Sequence, residues 1–273
     1  MTAKEDLLRV LDNGVLRVTI NRADAGNALT QYMRDEIPAI FDDASADPNV
    51  RVVVLTAAGE RHFCTGADLR TGRKDPPPKP EGAPDRIVGD VARTIQRGWQ
   101  RIVTSILDCE KPVICGLNGT AAGGGMHMAL ACDLVIAAEE SKFVEVFIRR
   151  GIAPDAGGAY LLARLVGPQK AKELFFFGDD VPAPEAHRIG LVNRIVPRAE
   201  LDKAIDEWAG RLAAAPTKAI SVAKWLTNKA LDVDRAAALW DEAYGQELVS
   251  STEDSKEGLK AFAERRDPEF KGW

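Results

Sequence analysis

The chain has 273 residues, 45% of them hydrophobic and 28% charged, which supplies one large domain with a sizeable core and rules out general disorder. Its 36 Lys and Arg against 41 Asp and Glu leave a net charge of −5, which argues against a nucleic-acid partner, since backbone binding relies on clustered cations. No apolar run reaches the roughly 18 residues needed to span a bilayer, and the polar opening residues lack the apolar stretch of a signal peptide. Asn13-Gly14, between apolar runs at 7–11 and 15–20, predicts a β-hairpin. A helix is expected over 30–44, stopped by Asp47-Pro48, and the β-branched run 52–55 reads as a strand buried on both faces. Residues 71–85 hold five of the fifteen prolines and read as a surface excursion. Ile87, Val91, Ile95, Gly98, Ile102 and Ile106 recur at spacings of three and four, which predicts one face of a long helix ended by Lys111-Pro112. Strands follow at 113–117 and 134–136, with a short helix opened by Gly123-Gly124-Gly125 between them. From about Pro168 the pattern is mostly helical, with apolar stripes at Ile205, Trp208 and Leu212 and at Leu239, Trp240, Ala243 and Tyr244. Strands alternating with helices and then helices alone indicate an α/β core over 1–200 and a helical region over 201–273, with no sharp linker or internal repeat between them.

Two glycine-containing turns each follow a strand expected to be buried and are read as leading into a helix. They are Phe63-Cys64-Thr65-Gly66-Ala67-Asp68-Leu69 and Asn118-Gly119-Thr120-Ala121-Ala122-Gly123-Gly124-Gly125. A helix N-terminus presents unpaired N–H groups and a partial positive charge, and glycine lets a ligand approach that backbone closely. Converging in space, the two turns would polarise one carbonyl oxygen, as an oxyanion hole does. The other reading is two ordinary connections that bind nothing. Neither turn fits GxxxxGK[ST] or GxGxxG, no GxSxG elbow occurs, and His62, His127 and His187 lack metal-ligand spacing. Cys64, Cys109, Cys115 and Cys132 show no CxxC spacing, so a reducing, cytoplasmic setting is expected. Cys64 and Cys132 read as small buried side chains rather than nucleophiles.

Along nearly its whole length the chain resembles the crotonase superfamily, the enoyl-CoA hydratases and isomerases. The resemblance rests on an ordered series of motifs. Asn21-Arg22 with Asn27-Ala28-Leu29 comes first, then the 63–69 turn, Lys111-Pro112-Val113-Ile114 leading to Asn118-Gly119, and Gly123-Gly124-Gly125. Cys132-Asp133 follows, then Gly151-Ile152-Ala153-Pro154 with Ala156-Gly157-Gly158, and Gly190-Leu191-Val192. The resemblance implies a spiral of ββα units with a helical C-terminal trimerisation region, and a homo-trimer or dimer of trimers. It implies an acyl-CoA substrate, with coenzyme A as part of the thioester and no permanently bound cofactor or metal. By motif position the N–H groups of Ala67 and Gly124 would form the oxyanion hole. Ala67, Asp68, Leu69, Phe147 and Arg265 would contact the acyl-CoA, Arg265 from a C-terminal segment that can reach CoA near a subunit interface.

The departures from the family pattern sharpen the expectation. Where its hydratases carry two glutamates, this chain has His127 and Phe147, with Glu145 two residues away from the second position. Phe147 cannot transfer a proton. His127 suits proton transfer by its near-neutral intrinsic pKa, and equally suits a buried helix in which it only satisfies a neighbour. Asp155, in Pro154-Asp155-Ala156-Gly157-Gly158, is either a helix cap or the acid/base that some isomerases of the family carry in this context. The expected activity is isomerisation of an enoyl-CoA by a 1,3-proton shift. A hydratase with a rearranged acid/base site and a non-catalytic acyl-CoA-binding scaffold are the alternatives.

Overall fold

The protein is described by a computed structural model covering residues 5–70, 78–85 and 87–273. Strands β1 (Leu7–Asp12) and β2 (Val15–Ile20) form the expected hairpin, with Asn13 and Gly14 both left-handed at φ 46° and 81°. Helix α1 (Gln31–Ala46) is capped by the Thr30 hydroxyl, which accepts from the Met33 amide at 3.3 Å. Strands β3 (Val52–Ala57) and β4 (His62–Cys64) follow, then α2 (Asp90–Ile95), a π-helical turn at Gln96–Gln100 and α3 (Arg101–Leu107) as one continuous rod. Next come β5 (Val113–Leu117), β6 (Thr120–Ala122), α4 (Gly124–Ala131), β7 (Leu134–Ala138) and β8 (Lys142–Val144). A 3-10 turn at Ile148–Arg150 leads to α5 (Gly158–Leu165), α6 (Gly167–Phe177), β9 (Asp180–Pro182), α7 (Ala183–Arg188) and β10 (Arg194–Val196). Four helices close the chain: α8 (Leu201–Ala213), α9 (Thr217–Ala230), α10 (Arg235–Ser250) and α11 (Glu253–Glu264).

The strands make two sheets. The larger has the order β1-β2-β3-β5-β7-β10 and the smaller β4-β6-β8-β9. Each of β3, β5 and β7 in the large sheet passes within a few residues into β4, β6 or β8 of the small one, and these pair in parallel. This is the crotonase-like spiral. Because parallel strands share a direction, the exits of β4, β6 and β8 lie along one edge of the small sheet, where the sequence motifs fall.

The central strands β3 and β5 of the large sheet are buried on both faces, as their apolar runs require. Val53 and Leu55 of β3 join the main core with α1 and α3, while Val52 and Val54 join a second cluster under α8 with Ile205 and Ala209. Each of the fully buried Val, Leu and Ile side chains among these contributes about 1.5–3 kcal/mol. Helix α8 fits because Gly116 has no side chain: a Cβ there would lie 2.4 Å from Ile205 Cδ1. Helix α9 is tied down by Lys224, whose ammonium donates to the Ile106 carbonyl and pairs with Asp133 at 2.9 Å. Asp133 in turn accepts from the Val113 amide, so its motif position serves to join α9, α4 and β5.

Two expectations need correction. No helix begins within 65–70; the chain there makes a single bridge instead. The long helical face is buried only from Gly98 onward, because α2 projects beyond the core and leaves Ile87 and Val91 more than 40% exposed. Beyond Pro168 the short strands β9 and β10 interrupt the helices, three residues each and too brief to register as a period. The excursion expected at 71–85 lies outside the described residues over 71–77, and its remainder is mostly exposed turn.

The C-terminal segment is clamped at two points. Arg51 donates to the carbonyls of Phe270 and Ala215, and buried Asp254 accepts from the amides of Lys271 at 2.6 Å and Gly272 at 2.8 Å. Asp254→Ala leaves both amides without that acceptor, and a loss of about 1–3 kcal/mol is expected. A fall in the urea midpoint together with faster carboxypeptidase trimming checks it; an unchanged midpoint contradicts it.

Candidate active site

The two turns meet at the shared edge of the small sheet. A Cβ on Gly125 would lie 2.3 Å from the Cys64 carbonyl oxygen, and one on Gly66 would lie 3.6 Å from the Ala122 carbonyl oxygen. Behind them, Asn27 fixes the approach of the 22–29 segment: it is buried at φ 52°, accepts from the Arg22 amide, and donates to the carbonyls of Ala58 and His62. That brings Leu29 alongside Ala67. The Leu29 amide donates to the Gly66 carbonyl at 2.9 Å and the Asp68 amide to the Leu29 carbonyl at 3.0 Å. In such a parallel bridge the flanking residues carry the bonds, so the Ala67 amide takes no part in the pairing with Leu29.

On the second turn, Gly123 sits at φ 54° and spends its amide on the Val144 carbonyl at 3.0 Å. Gly124 then opens α4, and a Cβ on it would lie 2.7 Å from the Trp99 ring. Among the described residues the amides of Ala67 and Gly124 have no acceptor.

Helix α4 is buried on every side, and His127 within it is fully buried. Its Nε2 lies 2.7 Å from Glu145 Oε1, and Glu145 is only 2% exposed. The Phe147 ring stacks on the imidazole with centroids 5.4 Å apart and planes at 15°. Gly158, at the start of α5, closes over the ring, for a Cβ there would lie 2.1 Å from Nε2. His127 Nδ1 and Glu145 Oε2 are buried without a hydrogen-bond partner among the described residues.

Asp155 is half-buried in the loop before α5. It does not cap that helix, since the cap position is Gly157 and no side chain bonds there. The loop is held open by two successive left-handed residues, Ala156 at φ 52° and Gly157 at φ 75°. Burial pushes the Asp155 carboxyl above the usual carboxylate range; His127 opposes the rise and Glu145 adds to it.

The other sequence candidates lie as follows. The Asp68 carboxylate is engaged by Arg22 at 3.0 Å and by Arg70, which together hold it far below the usual range. It is a buried strut for the turn rather than an open ligand group. Leu69 is 83% exposed beside it, and Phe147 packs across Gly123 as well as His127. Arg265 ends α11 in a left-handed conformation, exposed, outside the elements that surround Gly124. Cys64 and Cys132 are buried, and burial drives the Cys64 thiol up to about 12, far from a nucleophile's range. The His127–Glu145 pair was not read from the sequence. Its one trace there is a lone acidic residue in the apolar run Phe143-Val144-Glu145-Val146-Phe147-Ile148.

Gly125→Ala tests the convergence of the turns. Its Cβ meets backbone that has no rotamer to give, so the variant is expected to lose about 1–3 kcal/mol or more in urea unfolding. Wild-type stability would contradict the close approach.

Known proteins match this arrangement over nearly the whole chain. The enoyl-CoA hydratase/isomerase family model matches residues 11–273. The 1,2-epoxyphenylacetyl-CoA isomerase of Escherichia coli (strain K12) is 33% identical, over 98% of this chain and 99% of that protein. The crotonyl-CoA hydratase of Syntrophomonas wolfei is 34% identical, over 98% of each. The crystal structure of an enoyl-CoA hydratase from Bacillus anthracis superposes with a TM-score of 0.87 at 33% identity, covering 98% of this chain and all of that one. The relatives are thus named for both hydration and isomerisation, and on this shared sequence and fold the chain belongs to the enoyl-CoA hydratase/isomerase family, within the crotonase superfamily.

Proposed function

We propose that this family member isomerises an unsaturated acyl-CoA by a 1,3-proton shift carried by Asp155. In this reading the amides of Ala67 and Gly124 donate to the thioester oxygen. The Asp155 carboxylate takes a proton from the carbon next to the carbonyl of a 3-enoyl thioester, and the electron pair delocalises onto the oxygen as a dienolate. The same carboxylic acid then returns the proton two carbons further along, leaving the 2-enoyl thioester. Two donors aimed at that oxygen are worth several kcal/mol in such sites. Asp155 would act as a base with its proton affinity raised toward the working pH by burial.

The observation that carries the reading is the division among the carboxylates. Asp155 is half-exposed beside the turns, whereas Glu145 is buried against His127 and Asp68 is held by two arginines. One accessible proton carrier suits a proton shift. Hydration, which must handle a water as well, has one observation in its favour, the second carboxylate at Glu145 with Oε2 unpartnered. Ala67 and Leu69 would flank the thioester and its CoA moiety, Phe147 the acyl end, and Arg265 would reach CoA across a subunit boundary.

The test is a turnover screen of 2-enoyl and 3-enoyl thioesters in heavy water. Asp155→Asn should lower isomerisation and deuterium exchange by about 10²–10⁴-fold while thioester affinity holds. An Asp155→Asn enzyme at the wild-type rate sinks the assignment, and hydration as the faster reaction favours the second reading.

We infer as well that the chain assembles as a trimer or a dimer of trimers. The support is the outer face of α10, where Trp240 and Tyr244 pack together at 5.3 Å yet remain 65% and 54% exposed. Light scattering should give three or six times the 29.6 kDa chain mass. A monomer across a wide concentration range contradicts it.

A further inference from the structure

The rod made of α2, the π-helical turn and α3 touches both segments that the proposed proton shift uses. Trp99, in the π-helical turn, is only 7% exposed. Its indole atoms Cδ2, Cε3 and Cε2 lie 2.7, 2.7 and 2.8 Å from the point where a Cβ on Gly124 would stand. Cδ2 is bonded to three ring carbons and has no free edge, so the indole meets Gly124 with its face. One helical turn further along, Val103 Cγ1 lies 3.2 Å from the Cβ position of Gly157, two residues after Asp155. Trp99 and Val103 thus carry one face of the rod from the Gly124 amide to the Asp155 loop. On the neighbouring glycine the Phe147 ring closes another side, with Cζ 3.5 Å from the Cβ position of Gly123.

Cα–Cβ bonds on a helix lean toward its N-terminus, the direction in which the free amides of the first turn point. An indole standing where a Gly124 Cβ would be therefore flanks the spot at which an oxygen accepting from that amide sits. We propose that Trp99 is a specificity-determining residue, whose indole walls the acyl group at C2, the carbon next to the thioester carbonyl, and confines the substrate to chains unbranched there. The inference rests on the reading in which the Gly124 amide receives the thioester oxygen and Asp155 the proton. The acyl carbons then run from Gly124 toward the Asp155 loop, along the face that presents Trp99 and Val103. Close packing of the indole on the Gly124 backbone leaves it no way to recede in that direction, so a methyl branch at C2 has no space to enter.

The test compares 3-hexenoyl-CoA with 2-methyl-3-hexenoyl-CoA, which keeps one hydrogen at C2 for removal. The wild-type enzyme should favour the straight chain by about 10–200-fold in kcat/KM. Trp99→Ala opens the space beside Gly124 and should cut that preference by about tenfold or more. A ring that served packing alone would slow both substrates together and leave their ratio unmoved. That result, or a wild-type enzyme indifferent to the branch, overturns the proposal.

Trp99→Phe covers the case in which loss of the indole prevents folding. It keeps an aromatic ring in the core and should move the ratio in the same direction by a smaller factor; an unchanged ratio there overturns the proposal. Affinity separates this inference from the reading beneath it. Hexanoyl-CoA and 2-methylhexanoyl-CoA have no double bond to move, yet the wild-type protein should bind the straight chain more tightly in calorimetry, with the difference reduced in Trp99→Phe. Equal affinities in the wild-type protein overturn the proposal. If Asp155→Asn keeps the wild-type rate, it is the proton-carrier reading that fails, and the affinity comparison still decides the role of Trp99.

Discussion

The contact of α4 with the end of β4 is the constraint on which the site depends. Gly125 lies so close to the Cys64 carbonyl that a single methyl group would collide with backbone. Only with that space empty do the first turn of α4 and the 65–68 segment lie side by side. The neighbouring bonds then follow. The Gly66 carbonyl and the Asp68 amide are taken by Leu29 and the Gly123 amide by the Val144 carbonyl, while the amides of Ala67 and Gly124 have no acceptor among the described residues.

The same economy of space operates one layer deeper. Gly158 makes room for the His127 imidazole, and Gly116 makes room for Ile205 on the opposite face of the large sheet. The first lets ionisable groups gather beneath the Asp155 loop; the second lets α8 cover the sheet. A close-packed interior leaves no alternative arrangement at either place. Glycine at these positions acts through the absence of a side chain, not through a left-handed backbone, since none of the three has a positive φ.

The paired charges that tie distant segments together fall into two kinds. Asp68 and Asp133 are fully committed, the first to Arg22 and Arg70 and the second to Lys224 and the Val113 amide, and they join segments distant in sequence. His127 and Glu145 are committed only in part, for one polar atom of each has no partner among the described residues. Removing one member of a buried pair typically costs 3–5 kcal/mol because the other is left uncompensated. Fully paired groups serve as struts. The incompletely paired couple is packed against Gly158, at the start of α5 just after the Asp155 loop.

Local features were legible in the sequence because their physics is local. Asn13-Gly14 dictates a hairpin, Thr30 caps a helix, and β-branched runs mark strands buried on both faces, each within a few residues. The ordered motifs also carried the family, and with it the crotonase-like fold. Tertiary structure alone decided how the motifs are used. Ala67 lies at a bridge to Leu29 instead of a helix start, because the bridge depends on Asn27 reaching Ala58 and His62. The half-exposed stripe at Ile87 and Val91 has a helical period whether or not a core lies against it, so periodicity there could not report burial. Glu145 meets His127 across eighteen residues only because β6 pairs with β8 in the register that sets Ala122 opposite Val144. A spacing in sequence does not encode that register; it is settled by which hydrophobic faces close on one another when the two sheets form.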